Sequence, residues 1–173
     1  MPDEPMLETD STQTSLIEEC AKHLRASKTT IAVAESSSGG LISASLLSVA
    51  GASAYFTGGT VIYTRESRRQ WLDIDPEKLR GLEPMTELMA GVFAEAVRLK
   101  LNATWGMAEL GAAGPTGTPY GHDAGTSVIA INGPVCASIL VSTGDANRVQ
   151  NMQLFTSQAL KLLRETLSMH ARG

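Results

Sequence analysis

Apolar and polar positions in the first fifty residues follow a helical pattern, then a strand-like one, then a helical one again. Apolar residues recur at helical spacing over residues 16–24, and Ser15 with Glu18 forms the pattern of a capping box, which predicts a first helix that begins at Ser15. Residues 30–34 form a short apolar run with the length of a buried strand. Residues 41–47 are small and apolar at helical spacing, so this helix is expected to pack closely on the sheet.

The middle of the chain repeats this order. Residues 56–63 predict a second strand, in which two glycines suggest a bulge or a close backbone approach, and residues 64–72 predict a short helix. A connector over residues 75–81 leads to the clearest amphipathic pattern of the chain, which begins at Pro84 and continues to Val97. We expect the apolar stripe of that helix to lie in the core.

Residues 105–110 predict a third strand. The Gly/Pro-rich segment 112–124 after it is too long for a simple turn, and loops of this kind often carry function. Residues 126–131 and 135–141 flank an Asn-Gly-Pro sequence, which is a strong hairpin signal, so the two strands are expected to pair antiparallel. A long helix over residues 146–170 completes the pattern.

This succession predicts an α/β fold, a three-layer α/β/α sandwich on a mixed, mostly parallel sheet with a C-terminal antiparallel hairpin. We expect residues 1–12 to be a flexible tail and residues 13–173 to form a single domain. In such sheets, ligands bind beyond the carboxyl ends of the parallel strands. Three segments that are distant in sequence should meet there, at residues 35–40, 63–69 and 111–125.

Composition and charge limit the kinds of molecule that the chain is expected to bind. The net charge is −4 and the segment from Arg65 to Arg69 is the one short cluster of basic residues, which argues against nucleic acid and favours a small ligand. No apolar run is long enough to span a membrane, and the acidic N-terminal segment does not resemble a signal peptide. We therefore expect a soluble protein.

Cysteine and histidine positions give no sign of a metal or a disulfide. Cys20 and Cys136 are far apart in sequence and are expected to be two buried reduced thiols, which indicates a reducing cytoplasm. His23, His122 and His170 share no metal-ligand spacing, so we expect no metal and no cofactor.

The segment TIAVAESSSGG, residues 30–40, is the strongest candidate for chemistry. A strand that leads into a helix through Glu35, three serines and a glycine pair brings hydroxyls and backbone N–H groups to one point. One interpretation is a nucleophilic serine or an anion cradle. The other is that Ser36, Ser37 and Ser38 simply cap the helix.

Four motifs in this order resemble the CinA C-terminal domain family: AESSSGG at residues 34–40, AGASAYFTGGTVIYT at 50–64, AAGPTG at 112–117 and the following Gly-Thr at 125–126. Characterised members of that family are nicotinamide mononucleotide deamidases. The resemblance implies an α/β/α fold, a homo-oligomer and metal-independent hydrolysis of nicotinamide mononucleotide to nicotinate mononucleotide and ammonia.

The resemblance also assigns roles to residues. The serine after the glutamate in the family's AESCTGG motif is the presumed nucleophile and matches Ser36, while Ser37 and Ser38 replace the family's Cys-Thr. Backbone N–H groups near Ser38 and Gly39 would hold the oxyanion. Tyr63 matches the tyrosine that closes the second strand. The expected substrate-binding residues are Ser37, Ser38, Gly39, Gly40, Arg68, Gly114, Gly117 and Thr126.

Two positions depart from the family pattern. The family usually reads YSNEAK, with its lysine proposed to activate the serine, whereas this chain reads YTRESR and has Arg68 at the lysine position. Deprotonating arginine at pH 7 costs roughly 9 kcal/mol, against about 4.6 kcal/mol for lysine. Arg68 is therefore better suited to bind a phosphate or carboxylate. The family's Gly-Asp-Arg is Gly-Asp-Ala here, with the nearest arginine at Arg148.

Several candidate residues have a second, structural interpretation. Glu35 would orient the site or accept a proton, or would cap the helix. Tyr63 would relay a proton, or would end a strand on the surface. Gly114 and Gly117 would hold a phosphate or ribose, or would belong to an ordinary loop, and Thr126 would bind ligand or begin a strand.

Three functions are compatible with the sequence. The first is a CinA-like serine amidohydrolase that acts on nicotinamide mononucleotide. The second is a non-catalytic relative that binds a nucleotide or a partner, which Arg68 and Ala146 favour. The third is a serine amidohydrolase for another phosphorylated amide, with a pocket reshaped by residues 116–122.

Overall fold

Five strands form one sheet in the computed structural model, which describes residues 11–172. In chain order they are β1 (Ile31–Glu35), β2 (Phe56–Val61), β3 (Trp105–Ala112), β4 (Thr126–Asn132) and β5 (Ala137–Ser142). Across the sheet the order is β2-β1-β3-β4-β5. The pairs β1–β2 and β1–β3 are parallel, whereas β3–β4 and β4–β5 are antiparallel. The predicted mixed sheet with a C-terminal hairpin is confirmed.

Helices cover both faces of the sheet and complete the three predicted layers. In chain order they are α1 (Ser11–Ser27), α2 (Leu41–Leu47), α3 (Arg65–Leu72), α4 (Pro76–Leu79), α5 (Glu87–Lys100) and α6 (Arg148–His170). Helices α1, α2 and α6 pack together on one face, and α5 packs on the other with α3 and α4 beside it. Each face has its own apolar core.

Strand β1 is apolar at four of its five positions because it is covered on both faces. Ile31 and Val33 belong to the core under α1 and α6, while Ala32 and Ala34 belong to the core under α5. A parallel strand between two helical layers has no solvent-facing side, so it shows no polar alternation. The polar exception is Glu35, which ends the strand and is fully buried.

Two helix starts differ from the prediction. Helix α1 already includes Ser11, so Ser15 lies inside it rather than at its N-terminus. Helix α5 begins at Glu87 rather than near Pro84, because Thr86 caps it: the Thr86 hydroxyl accepts a hydrogen bond of 3.3 Å from the backbone N–H of Met89. A threonine hydroxyl satisfies a free N–H of the first turn, which a proline ring cannot do.

Two further expectations change at the level of single segments. Residues 1–10 of the expected flexible tail lie outside the described residues, and residues 11 and 12 belong to α1. The connector at residues 75–81 contains the short helix α4, capped by the Asp75 carboxylate, which accepts from the N–H of Glu77 at 3.0 Å. Between residues 11 and 172, no helix has the length and apolarity needed to cross a membrane.

The two cysteines are both free thiols but differ in environment. Cys20 is fully buried in α1, its thiol donates to the carbonyl of Leu160 at 3.5 Å, and burial raises its pKa to about 12. Cys136 is exposed, so the expectation that both thiols are buried is wrong for this residue. It lies in the short connection between β4 and β5 instead of inside a strand.

Gly106 allows α5 to lie against β3. A Cβ at this position would overlap the backbone carbonyl of Ala94 and lie 2.6 Å from Cβ of Arg98, both in α5. We expect Gly106→Ala to lower the free energy of unfolding by about 1–3 kcal/mol, because the helix must move away from the sheet.

Gly91→Ala is the matched control. Gly91 lies inside α5, and a Cβ added to it would have no atom within 4 Å, so alanine should raise stability by about 0.5–1 kcal/mol through helix propensity. Urea unfolding of both variants measures the difference. Equal stability of the two would contradict a close contact between α5 and β3.

Candidate functional site

The turn between β1 and α2, residues 36–40, is held from below by Glu35. The Glu35 carboxylate accepts hydrogen bonds from the backbone N–H groups of Ile42 at 3.0 Å and Ser43 at 2.9 Å, and from the Ser43 hydroxyl at 2.6 Å. The N-cap residue Gly40 offers no side-chain cap, so the preceding strand supplies it. A carboxylate at a helix N-terminus is favourable, since it satisfies N–H groups that lack a partner within the helix.

A second buried carboxylate lies beside the first. Glu109 of β3 is the register partner of Glu35, and both are fully buried. The Glu109 carboxylate accepts from the N–H groups of Ser36 at 3.0 Å and Ser38 at 2.9 Å, from the Ser127 hydroxyl at 2.9 Å, and from the Ser37 hydroxyl. It therefore receives donors from both ends of the serine turn.

The Ser38 hydroxyl lies between the two carboxylates. Its oxygen is 2.8 Å from Glu35 Oε2 and 2.9 Å from Glu109 Oε2. Ser38 is thus held inside the protein as a bridge. Its hydroxyl is therefore occupied by the fold, but it does not cap α2 as the structural interpretation expected, because Glu35 binds the first N–H groups of that helix.

Ser36 is the serine whose hydroxyl remains available. Its backbone N–H is bound to Glu109, but its Oγ has no hydrogen-bond partner among residues 11–172. Every fully buried side-chain oxygen or nitrogen in that part of the chain has a partner, so this Oγ reaches the adjoining cavity. A hydroxyl that contacts a cavity and is not used by the fold is what a nucleophile requires.

The cavity next to Ser36 has a volume of about 350 Å³. Its walls come from the serine turn, the segment between β2 and α3, the loop after β3 and the first turn of α6. The predicted site residues that line it are Ser36, Ser37, Tyr63, Arg68, Gly114 and Gly117. The expected convergence of distant segments is found at this edge of the sheet.

The other predicted site residues lie outside the cavity lining. Glu35 and Ser38 lie beneath the turn, and the N–H of Gly39 donates to the carbonyl of Ser36 at 3.2 Å. Because the N–H groups of Ser38 and Gly39 both have acceptors within the protein, neither is free for an oxyanion. Gly40 is the N-cap of α2, and Thr126 pairs with Ala112 at the start of β4.

Within the turn, the N–H groups of Ser37 and Gly40 have no acceptor in the described part of the chain, and of these two residues Ser37 lines the cavity beside Ser36. The backbone N–H after a nucleophile is a common oxyanion donor in strand-to-helix turns. The N–H groups of Ser38 and Gly39, expected to hold an oxyanion, are thus both occupied, whereas that of Ser37 is not.

Tyr63 and Arg148 form one wall of the cavity. Arg148, the first residue of α6, donates from Nη2 to the Tyr63 hydroxyl at 3.1 Å and from Nη1 to the carbonyl of Gly114 at 2.7 Å. Its guanidinium carbon is 6.0 Å from the centre of the Tyr63 ring. Tyr63 is exposed and also lines the cavity, so its role in proton transfer stays a prediction.

Arg65 and Arg68 reach the cavity from α3. Arg65 donates to the Tyr120 hydroxyl and lies 5.6 Å from the centre of the Tyr120 ring. Arg68 donates from Nε to the carbonyl of Ile62 at 3.1 Å, and its guanidinium carbon lies 5.8 Å from the centre of the Phe93 ring. Burial is the main cause that lowers the pKa of Arg68 from its ordinary value.

Asn151 fixes the cavity wall to α6. Its side-chain nitrogen donates to the carbonyls of Ala113 and Asp145, each at 2.8 Å, and its side-chain oxygen accepts from the Thr143 hydroxyl at 2.7 Å. Asn151 is fully buried, and its bond to the carbonyl of Ala113 is shielded from water, while the other two are partly buried. The loop after β3 is therefore tied directly to the first turns of α6.

The sequence model of the CinA C-terminal domain matches residues 13–167. The chain belongs to the CinA C-terminal domain family. A CinA-like protein of Myxococcus xanthus is 37% identical over 149 residues, which are 83% of this chain and 34% of that protein. One of Prochlorococcus marinus is 39% identical over 127 residues, which are 73% and 29%. The chain spans about a third of the length of these curated relatives.

Solved structures show the same fold. A CinA superfamily protein from Klebsiella pneumoniae superposes with a TM-score of 0.83 at 24% identity, over 91% of this chain and 98% of that one. The competence/damage inducible protein CihA from Agrobacterium tumefaciens superposes with a TM-score of 0.78 at 24% identity, over 96% and 98%. The fold expected from the resemblance is confirmed.

Four residues of this CinA-family site were not predicted: Arg65, Glu109, Tyr120 and Arg148. Glu109 had a signal, since a glutamate inside an otherwise apolar strand needs partners if it is buried. The sequence signal for Arg148 was weaker: Arg148 lies two residues after Ala146, which stands where the family pattern has arginine. The contacts of Arg65 and Tyr120 join positions 55 residues apart, which no local pattern reveals.

A larger cavity in this CinA-family domain lies on the outer side of β2, away from the serine turn. Its volume is about 620 Å³ and its lining is mainly apolar, including Trp71 and Leu101, with Lys100 as its ionisable side chain. It contains no hydroxyl paired with a carboxylate. Within residues 11–172, no three Cys, His, Asp or Glu side chains are grouped as a metal site would require.

We expect Glu109→Gln to lower the free energy of unfolding by about 2–4 kcal/mol. The amide would keep one acceptor oxygen and place an NH2 group against donors of the serine turn, which leaves buried N–H or O–H groups unpaired. Urea unfolding measures the loss. Glu18→Gln on the exposed side of α1 is the control and should change stability by less than about 0.5 kcal/mol. A similar small effect at Glu109 would contradict its role as the central acceptor.

Proposed function

We propose that this CinA-family domain is a cytoplasmic amidohydrolase that converts nicotinamide mononucleotide and water to nicotinate mononucleotide and ammonia, with Ser36 as nucleophile. The resemblance of its motifs to those of the family's deamidases supports the substrate. We also propose that it acts as a homo-oligomer, which light scattering after size-exclusion chromatography would test.

One observation carries the proposal: the Ser36 hydroxyl is free within residues 11–172 and lies at a cavity lined by arginines. The neighbouring serines have other partners, since Ser37 donates to Glu109 and Ser38 lies between the two carboxylates. The cavity volume of about 350 Å³ falls within the range of small-ligand sites. Guanidinium groups suit the phosphate of a mononucleotide.

In the proposed reaction, Ser36 Oγ attacks the amide carbon and the carbonyl oxygen becomes an oxyanion. The free N–H of Ser37 is placed to stabilise it. Collapse of the tetrahedral intermediate breaks the C–N bond and releases ammonia, and water then hydrolyses the acyl ester on Ser36 to the carboxylate. No group other than the substrate and water is consumed.

The proton from Ser36 needs an acceptor, and we assign this part to Tyr63. Arg148 donates to the Tyr63 oxygen, so the phenol proton is free to take part in a hydrogen bond with a group in the cavity. Glu35 and Glu109 do not line the cavity, and Arg68 is a poor base. As the Tyr63 oxygen takes the proton from Ser36 Oγ, its own phenol proton would pass to the leaving nitrogen, so that Tyr63 stays neutral through the step.

We expect Ser36→Ala to reduce ammonia release from nicotinamide mononucleotide by about 10³-fold or more, because the nucleophile is removed. Ammonia is measured with a coupled assay, and ligand-induced thermal stabilisation checks that the variant still binds. Ser48→Ala is the control, since Ser48 follows α2 outside the cavity and should release ammonia at the unchanged rate. Release by Ser36→Ala at the original rate would exclude Ser36 as nucleophile.

Arg68 favours a second candidate function, ligand binding without turnover, because arginine stands where the family pattern has the activating lysine. If a missing base limits the rate, Arg68→Lys should raise ammonia release by about tenfold or more, since a neutral lysine is easier to form than a neutral arginine. The control is Arg69→Lys, because Arg69 lies on the same helix and pairs with Glu66 in solvent at 2.9 Å. Equal rates in both variants would contradict a role for position 68 as base.

A further inference from the structure

The cavity beside Ser36 concentrates positive charge in a chain whose net charge is −4. Arg65 and Arg68 reach it from α3 and Arg148 from α6, while no Asp or Glu belongs to its described lining. Two of these cations, Arg65 and Arg68, occupy positions where the family pattern YSNEAK has asparagine and lysine. Lysine is already cationic, so relative to this family segment it is Arg65 that adds a positive charge, while Arg68 replaces an ammonium by a guanidinium.

The partners of these three arginines are neutral. The acceptors are the Tyr120 hydroxyl for Arg65, the carbonyl of Ile62 for Arg68, and the carbonyl of Gly114 with the Tyr63 hydroxyl for Arg148. None of the three takes part in an ion pair among residues 11–172, whereas Arg69 on the same helix does. Each guanidinium has five N–H donors, so most of them are free to bind a ligand.

Arg68 lines the same cavity as Ser36 and Ser37. Its Nη atoms have no acceptor among the described residues, and no fully buried polar atom there lacks a partner, so these atoms open onto the cavity. The Glu109 carboxylate is already held by serine donors behind the lining.

We propose that the cavity binds ligands with two anionic groups, a phosphate held by Arg65 and Arg148 and a carboxylate held by Arg68. Arg65 and Arg68 reach the cavity from α3 and Arg148 reaches it from α6, and each guanidinium can form paired hydrogen bonds with a carboxylate or a phosphate, so the three together offer donors for more than one anionic group. The identity of the ligand in this inference rests on the proposed function. A site with two anion positions binds the deamidated product, which has gained a carboxylate, more tightly than the amide substrate.

Calorimetric titration of the Ser36→Ala protein with nicotinate mononucleotide and with nicotinamide mononucleotide tests this inference without turnover. We expect the acid to bind about tenfold more tightly, as one added charge-assisted hydrogen-bond pair implies. The Kd for the acid should also rise steeply with salt.

Three further substitutions in that protein separate the two anion positions. Arg68→Gln should remove the preference for the acid and leave the affinity for the amide within about twofold. Arg65→Gln should weaken both ligands by about tenfold, because both carry the phosphate. Arg69→Gln should change neither, since Arg69 is exposed and pairs with Glu66.

Equal affinity for acid and amide, or an acid preference that survives Arg68→Gln, would overturn the inference, as would a failure to bind either ligand. The proposed function is tested separately by ammonia release from the unmodified protein. Tighter binding of the acid without ammonia release would support the two-anion site and contradict the enzyme. Ammonia release together with equal binding of both ligands would support the enzyme and contradict the two-anion site.

Discussion

Two buried carboxylates on neighbouring strands determine the geometry of the site. Glu35 and Glu109 are register partners at the carboxyl ends of β1 and β3, and both are shielded from water. Two negative charges in such a place repel each other and lose hydration, so they are stable only with many donors around them. The serines and the first turn of α2 provide these donors. The serine turn is thus organised around this pair, and one hydroxyl, that of Ser36, is left unused.

The cavity above the turn has the opposite electrostatic character. Its described walls carry guanidinium groups with neutral partners, and Arg68 keeps its charge although burial lowers its pKa from the ordinary value. Arginine is a rigid, permanently charged fork, so under the proposed function the replacement of the family's lysine by Arg68 would weaken proton transfer and strengthen anion binding. The proposed chemistry at Ser36 and the proposed affinity for charged ligands would then depend on the same side chain.

Periodicity in the sequence was sufficient to predict the order of helices and strands and the three-layer class, because each element has one apolar pattern and a clear break after it. The starts of α1 and α5 were missed, since a threonine cap at Thr86 decides the boundary and a nearby proline does not. For the site, the sequence predicted the serine turn but not which of its serine hydroxyls is free and which is bound by the protein. Whether Ser36 or Ser38 is free depends on Glu109, more than 70 residues away.

Helix α6 carries both Arg148, which enters the cavity, and Asn151, which fixes the loop after β3. It is also the last of the described elements in chain order. During synthesis the serine turn and its two carboxylates leave the ribosome well before this helix. The nascent chain therefore exposes an incomplete cleft, and the wall that Arg148 forms is added only when α6 docks on the sheet.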